Sequence, residues 1–279
     1  MDTNAYIGIH CIVNSLFDRG VKMFIDSHCH FDFSCFDDKR DSLIKQLAIL
    51  NINKLIIPAT EKNTWLTISK LASEFNNLYY SLGIHPHFLA DFQSQDLFLL
   101  EKLLTNKEKN CVALGEIGLD KRVETDLAIQ EDVFIQQLRI AQKLNLPVIL
   151  HIVKLQGRVL QILKEENFTQ GGVYHAFSGS YEIATEFIKL GFKLGIGGVI
   201  TYPTANKTRE AIRRLPIESL LLETDAPDMP LYQQQDKNNS PTNLLSIFEV
   251  LLNYRSESKS CLATQIYKNT ETIFSLDND

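Results

Sequence analysis

Short apolar runs recur along the chain, and each precedes a longer stretch with helical spacing. The runs are Met23–His28, Lys54–Thr60, Leu78–His85, Cys111–Gly118, Pro147–Ile152, Gly172–Phe177, Phe192–Gly197 and Ser219–Asp225. They are rich in Ile, Leu and Val with little alternation, which is how strands buried on both faces read. Between them, Leu127, Phe134, Leu138 and Ala141 fall on one helix face, and Asn145 with Pro147 closes that helix. Ser180 reads as an N-cap with Glu182 in the first turn, and Gly191 suits a helix C-terminus. Eight strand–helix units in sequence predict an α/β protein, a (β/α)8 TIM-type barrel. An open doubly wound sheet is the alternative, but no glycine-rich phosphate turn supports it. The one polar, linker-like stretch is Gln233–Ser240, after the last run.

Residues 1–22 do not fit this scheme. Ala5 to Phe17 is mildly apolar but has no basic residue before it and no clear cleavage site, so it does not read as a signal peptide. We expect residues 1–22 to be an N-terminal extension outside the fold, and residues 23–279 to form a single domain. The chain is 44% hydrophobic and 22% charged, enough for a sizeable core and a soluble surface. No run of 18 apolar residues exists, so a membrane span is not expected. Five scattered cysteines without a CxxC pair fit free thiols and a cytoplasmic location. The formal charge of −6 argues against binding nucleic acid along a broad basic face. Any action on nucleic acid is therefore expected at a local site.

In such a barrel the active site lies where the strands end. Six of the seven histidines fall there, His10 being the exception. The run ends carry His28-Cys29-His30, His85-Pro86-His87, Glu116, His151, His175 and Glu223-Thr224-Asp225. Side chains alternate along a strand, so His28 and His30 are expected to point together into the mouth while Cys29 points away. Imidazole and carboxylate donors suit Zn²⁺, Mn²⁺ or a similar ion, and a carboxylate can bridge two ions. Taken singly, an HxH pair is a weak signal and each carboxylate could be a helix cap. Six donors spread over five strand ends are hard to explain as separate caps. Two ions can clamp the attacking and leaving oxygens of a displacement and acidify a water.

Several neighbours are open to either a functional or a structural reading. Asp26 shares a predicted face with His28 and is a candidate to orient a ligand histidine. Asp32 is a weaker candidate for the same role. Lys154, Arg158, Lys207 and Arg209 follow strands five and seven and are candidates for phosphate contact. Solvated helix positions are the plainer reading for Arg158 and Arg209. Trp65 is expected to pack against the sheet, and Phe177 and Tyr202 are candidates to stack on a base.

The segments FIDSHCHFDF, SLGIHPH, ALGEIGLD, LPVILHI, GGVYHAFSGS, LGIGGVITYP and LLLETDAPDMP together span about residues 23–275. In them the chain resembles the TatD family of metal-dependent hydrolases, within the wider amidohydrolase-like barrels. The LLLETDAPDMP and GGVITYP stretches are close to a bacterial branch of uncharacterised metalloprotein hydrolases. The resemblance implies one ion held by His28, His30 and Asp225, a second held by His151 and His175, and Glu116 bridging them. It implies a pocket position for His85, in contact with substrate phosphate or steering protons, and a further ion or water at Glu223. It also implies deoxyribonuclease activity, often 3′–5′ exonucleolytic, or more general phosphodiester or ester hydrolysis. The chain departs from the family's pattern at Lys121 and Arg122, where an aromatic residue commonly follows GLD. It departs again at Lys154, since an arginine commonly follows the strand-five histidine. Lysine offers phosphate a point charge without arginine's bidentate fork.

The expectation is a monomeric divalent-metal hydrolase acting on a DNA or nucleotide phosphodiester through a metal-activated water. Glu116, Asp225 and His85 would be catalytic, with His85, Lys154 and Glu223 near substrate. The two ions could be Zn, Mn, Mg, Ni or Co. Amide or ester hydrolysis, including of an aminoacyl-nucleic acid, is the competing reading. A metal-binding scaffold without turnover is the third.

Overall fold

The computed structural model describes residues 23–235 and 237–276. The expectation for residues 1–22 lies outside the described residues. Eight parallel strands pair in chain order: β1 (Phe24–Asp26), β2 (Ile52–Pro58), β3 (Leu78–Leu82), β4 (Cys111–Asp120), β5 (Val148–Val153), β6 (Gly172–Tyr174), β7 (Phe192–Ile196) and β8 (Leu220–Leu222). Backbone bonds from Ser27 N to Leu222 O (3.0 Å) and from Asp225 N to His28 O (2.8 Å) link the last strand end to the first. The sheet thus curls into the predicted barrel.

Helices α1 (Arg40–Ile49), α2 (Trp65–Glu74), α3 (Ser94–Thr105), α4 (Leu127–Leu144), α5 (Gln156–Glu165), α6 (Tyr181–Lys189) and α7 (Asn206–Arg214) follow β1 to β7 in turn. Two more, α8 (Leu244–Leu252) and α9 (Lys259–Phe274), follow β8. Local chemistry sets their ends. Asn145 adopts the left-handed conformation that closes α4, and Ser180 Oγ accepts from Ile183 N to cap α6. Phe134, Leu138 and Ala141 are buried as their spacing predicts. Leu127 is 39% exposed, because it opens the first turn of α4 before the helix meets the sheet.

Two buried clusters divide the core. The larger joins the outer faces of the strands to the helices, and Trp65 lies within it, donating to Gly83 O (3.0 Å). The smaller takes Ile25, Ile56, Tyr79, Val112, Ile149, Val173 and Leu221 from seven strands, with Phe274 and Leu276 from the chain's end. These side chains fill the barrel interior towards its N-terminal end, as layers do in such barrels. Two residues further along the same strands, the period-2 alternation brings Ser27, Ser81, His151, His175 and Glu223 to the same face. An apolar layer thus supports a polar one.

Several strands stop short of the histidines and carboxylates that end their apolar runs. β1, β3, β6 and β8 end at Asp26, Leu82, Tyr174 and Leu222, before His28, His85, His175 and Asp225. β4 is longer than predicted and runs to Asp120.

Candidate metal centre

Glu116 stands in β4, 2% exposed, with its two carboxylate oxygens facing different groups. Oε2 faces His28 Nε2 at 3.2 Å and His30 Nε2 at 3.7 Å. Oε1 faces His175 Nε2 at 2.9 Å, His151 Nδ1 at 3.0 Å and His85 Nε2 at 3.4 Å. Asp225 Oδ1 completes the first group, 3.4 Å from His28 Nε2 and 3.5 Å from His30 Nε2. The structure brings all six sequence-predicted donors together, and Glu116 is the residue that both groups share.

The donor set fits divalent ions. Donors about 2.1 Å from one ion sit roughly 3 to 3.5 Å from one another in tetrahedral or octahedral sites, close to the spacings of both groups. His28 Nε2, at the middle of the first group, is buried without a hydrogen-bond partner among the described residues, and so are His30 Nδ1 and His175 Nδ1. Buried polar atoms without partners are costly and uncommon. A cation facing His28 Nε2 would remove that cost and offset the charge of Glu116 and Asp225.

Proton sharing within the metal-free cluster tells the same story. Burial, with the nearby His175, pushes His28 down to about 4. Burial would also lower His30, but the hydrogen bond and charge of Asp225 outweigh it and raise His30 to about 9. Burial is likewise overcome at His151, where Asp120 and Glu116 raise it to about 9. His85 is pushed down to about 4, mainly by burial. Glu116 is held well below the carboxylate range against its own burial, by the charges of His175, His28 and His85.

Sequence reasoning expected His28 and His30 to share a strand face. They lie instead on an irregular segment beyond β1, where the chain has left the ladder. Their rings still converge on Glu116 and Asp225, and Cys29 turns to the outer core, its thiol against Ala226 O. Asp26 does not orient a histidine ring. Its Oδ1 accepts from Thr224 N (2.9 Å) and His28 N (3.3 Å), and its Oδ2 from Thr224 Oγ1 (2.5 Å). The carboxylate therefore ties the ends of β1 and β8 together through backbone.

Glu223 is fully buried and accepts from Ala176 N (2.5 Å) and Ser27 Oγ (3.4 Å). Its Oε1 lies 3.9 Å from His175 Nδ1, and burial raises its carboxyl to about 8. It sits over Gly195, where a Cβ would come within 1.9 Å of Oε2.

Asp120 is the residue beside the centre that the sequence reading did not single out. Its Oδ2 stands 2.9 Å from both His151 Nε2 and His87 Nε2. A strand read two residues further would have found it, because Glu116, Gly118 and Asp120 share one face of β4. Gly118 pairs with His151 across β4 and β5, at a φ of 149°, and a Cβ there would strike His151 O at 1.9 Å.

A cavity of about 700 Å³ opens over the centre, lined by His87, Asp120, Arg122, His151, Lys154 and Asp225 among others. Lys154 and Arg122 are thus among the cationic groups that line it. Lys207 lines a neighbouring hollow with Ser178 and Thr208. Arg158 is taken up by a two-pronged pair with Glu131 (2.7 and 2.6 Å). Arg209 donates to Ile200 O and lies over the Tyr254 ring. Phe177 is 1% exposed against Tyr174, so it offers no free ring face to a base, whereas Tyr202 is half-buried, donates to Pro230 O and meets Tyr232 edge-on. The four described cysteines are unbridged. Among the described residues no helix is long and apolar enough to cross a membrane.

Comparison with known proteins agrees with this geometry. A family model for TatD related DNase matches residues 25–275. The uncharacterized metal-dependent hydrolase YjjV of Escherichia coli K12 is 40% identical over 254 residues, covering 91% of this chain and 98% of its own. An uncharacterized metal-dependent hydrolase of Haemophilus influenzae is 36% identical, covering 90% and 99%. The crystal structure of the E. coli YjjV protein, a TatD homolog, superposes with a TM-score of 0.88 at 39% identity, covering 91% of this chain and 98% of that one.

Proposed function

The chain belongs to the TatD-related DNase family, and on that premise we propose that this metal-dependent hydrolase is a deoxyribonuclease or phosphodiesterase of 3′–5′ exonuclease type. The observation that carries the reading is the two-sided Glu116 carboxylate, with imidazoles on either side, under a cavity whose mouth holds Lys154 and Arg122. His28, His30 and Asp225 would hold one ion, His151 and His175 a second, and Glu116 would bridge them. Two divalent ions supply an acidified water and a clamp on the attacking and leaving oxygens.

The protein's own groups do the rest. Glu116 fixes the spacing of the two donor sets. Asp225, at the cavity wall, is the carboxylate that can take a proton from the attacking water. His85 Nε2 stands beside Glu116 Oε1 and can hold a phosphoryl oxygen or pass a proton to it. Asp120 fixes the His151 ring by accepting at Nε2, which leaves Nδ1 for metal. Lys154 and Arg122 can offset the charge that grows on phosphoryl oxygens.

The test compares bis(p-nitrophenyl) phosphate, end-labelled DNA and a panel of small esters with the metal-loaded protein. Cleavage of the diester and shortening of DNA from an end is the expected result. Turnover of esters alone would remove the nuclease assignment.

A further inference from the structure

A second cleft of about 480 Å³ lies on the β1–β3 side of the centre, opposite the cavity that holds Lys154. Its volume is within the roughly 300–1,000 Å³ of ligand clefts. It is lined in part by Asp32, Phe33, Thr60, Glu61, Phe88 and Pro227. Two of its walls stand on the centre itself: the Phe33 ring stacks on the His30 ring at 4.9 Å, and Phe88 meets His85 edge-on at 6.1 Å. Phe88 is 40% exposed, an aromatic surface that the core leaves uncovered. Asp32 Oδ1 is buried without a hydrogen bond among the described residues. No lysine, arginine or histidine is among the lining residues, whereas Asp32 and Glu61 are.

These features define an occupant. Two aromatic walls suit a flat ring, since every nucleobase has a face that stacks. A carboxylate oxygen without a partner calls for an N–H donor, which the exocyclic amines of adenine, cytosine and guanine present at the base edge, whereas thymine offers only its ring N3–H between two carbonyl oxygens that repel a carboxylate. Two carboxylates without a cation disfavour phosphate. The two clefts flanking the centre therefore differ: one carries Arg122 and Lys154 beside its aspartates, and the other is aromatic with carboxylates as its only charged groups.

We propose that the cleft between Phe33 and Phe88 is a base subsite that takes the terminal nucleobase of a DNA strand, with Asp32 accepting from its amine. This rests on the phosphodiester reading above. The strand would cross the metal centre with its remaining phosphates on the Lys154 side and finish in the acidic cleft, which admits no further phosphate. Such an arrangement removes residues from an end and does not cut within a strand.

The experiment uses the metal-loaded full chain on an oligonucleotide ending in an abasic residue, as the base-free diester, and on single-stranded oligonucleotides. These carry each of the four bases at one end, with and without a terminal phosphate. We expect faster removal of amino-bearing bases than of thymine, and about tenfold slower removal once the end is phosphorylated. Phe88→Ala should raise the KM for oligonucleotides about tenfold relative to any change on the base-free diester, the size expected of one stacked base. Asp32→Asn should level the preference among ends. Equal handling of all ends, together with an unchanged oligonucleotide-to-diester ratio in Phe88→Ala, overturns the subsite while leaving the phosphodiester reading intact. Failure to cleave even the base-free diester overturns that reading, and the subsite with it.

Discussion

His151 lies between Glu116 and Asp120, with Nδ1 3.0 Å from Glu116 Oε1 and Nε2 2.9 Å from Asp120 Oδ2. Strand geometry arranges this. Glu116 and Asp120 are four apart on one face of β4, and Gly118 between them has no side chain and pairs with His151 across the ladder. The carboxylate behind the ring fixes which nitrogen faces the centre. Asp120→Asn should therefore weaken metal binding at the His151–His175 side about 10- to 100-fold, the usual effect of losing such a partner. Metal titration against a chromophoric chelator, with circular dichroism as a check on the fold, measures this. Undiminished affinity would show that the ring is held by other means.

The two faces of Glu116 predict a divided loss of metal. His30→Ala should release the ion of the first group and His175→Ala that of the second, whereas Glu116→Gln should weaken both. Metal content by inductively coupled plasma mass spectrometry after dialysis separates the cases. Hydrolysis should fall at least about a hundredfold in each, since each removes charge stabilisation at the reacting centre. Retention of both ions in Glu116→Gln would rule out a bridge.

Metal uptake should depend on pH with a definite sign. In the metal-free protein His30 and His151 are raised to about 9, chiefly because carboxylates overcome their burial. A divalent ion needs both rings unprotonated, so it must displace protons below that pH. Affinity should rise with pH up to about 9, by about tenfold per unit for each proton displaced. Isothermal titration calorimetry in buffers of different ionisation enthalpy counts the protons released. A pH-independent affinity between 6 and 8 would contradict the shared-proton picture.

Gly195 leaves space for the buried Glu223 carboxylate. Gly195→Ala should destabilise the protein by about 1–3 kcal/mol, the range for forcing extra volume into a packed interior. It should also lower affinity for the ion next to His175, since Glu223 holds Ala176 N. Urea denaturation of metal-free protein gives the first effect, and chelator competition gives the second.

Lys154 follows His151 by three residues and lines the cavity. If it meets phosphate, Lys154→Ala should raise the KM for oligonucleotides several-fold and lower the salt dependence of binding by about one unit of slope. Arg158→Ala should do neither, because Glu131 already occupies that guanidinium. Equal effects of the two substitutions would mean that their charge acts only at long range.

Much of this was legible in the chain. Buried parallel strands leave a strong signature, because both faces must be apolar, so the order of eight strand–helix units and the six candidate donors at their ends could be read directly. The side on which Cys29 falls could be read too. Periodicity could not find where a strand stops being a strand, since that depends on hydrogen bonds to a neighbouring chain segment. Asp26 stayed open between orienting a histidine and bonding backbone for that reason: β1 ends with it, and its carboxylate turns to Thr224, which is 198 residues away. Asp120 was missed because β4 continues two residues past its apolar run. Phe177 was a stacking candidate, but packing against Tyr174 occupies its ring.

The sequence by itself determined the architecture and the kinds of donor, because burial and alternation are local rules that each strand obeys on its own. Only the tertiary structure decided how the donors divide between the oxygens of Glu116, which carboxylate stands behind His151, and that the two clefts beside the centre differ in charge. Those facts depend on distances between strands far apart in the chain, which closure of the barrel sets and no local pattern encodes.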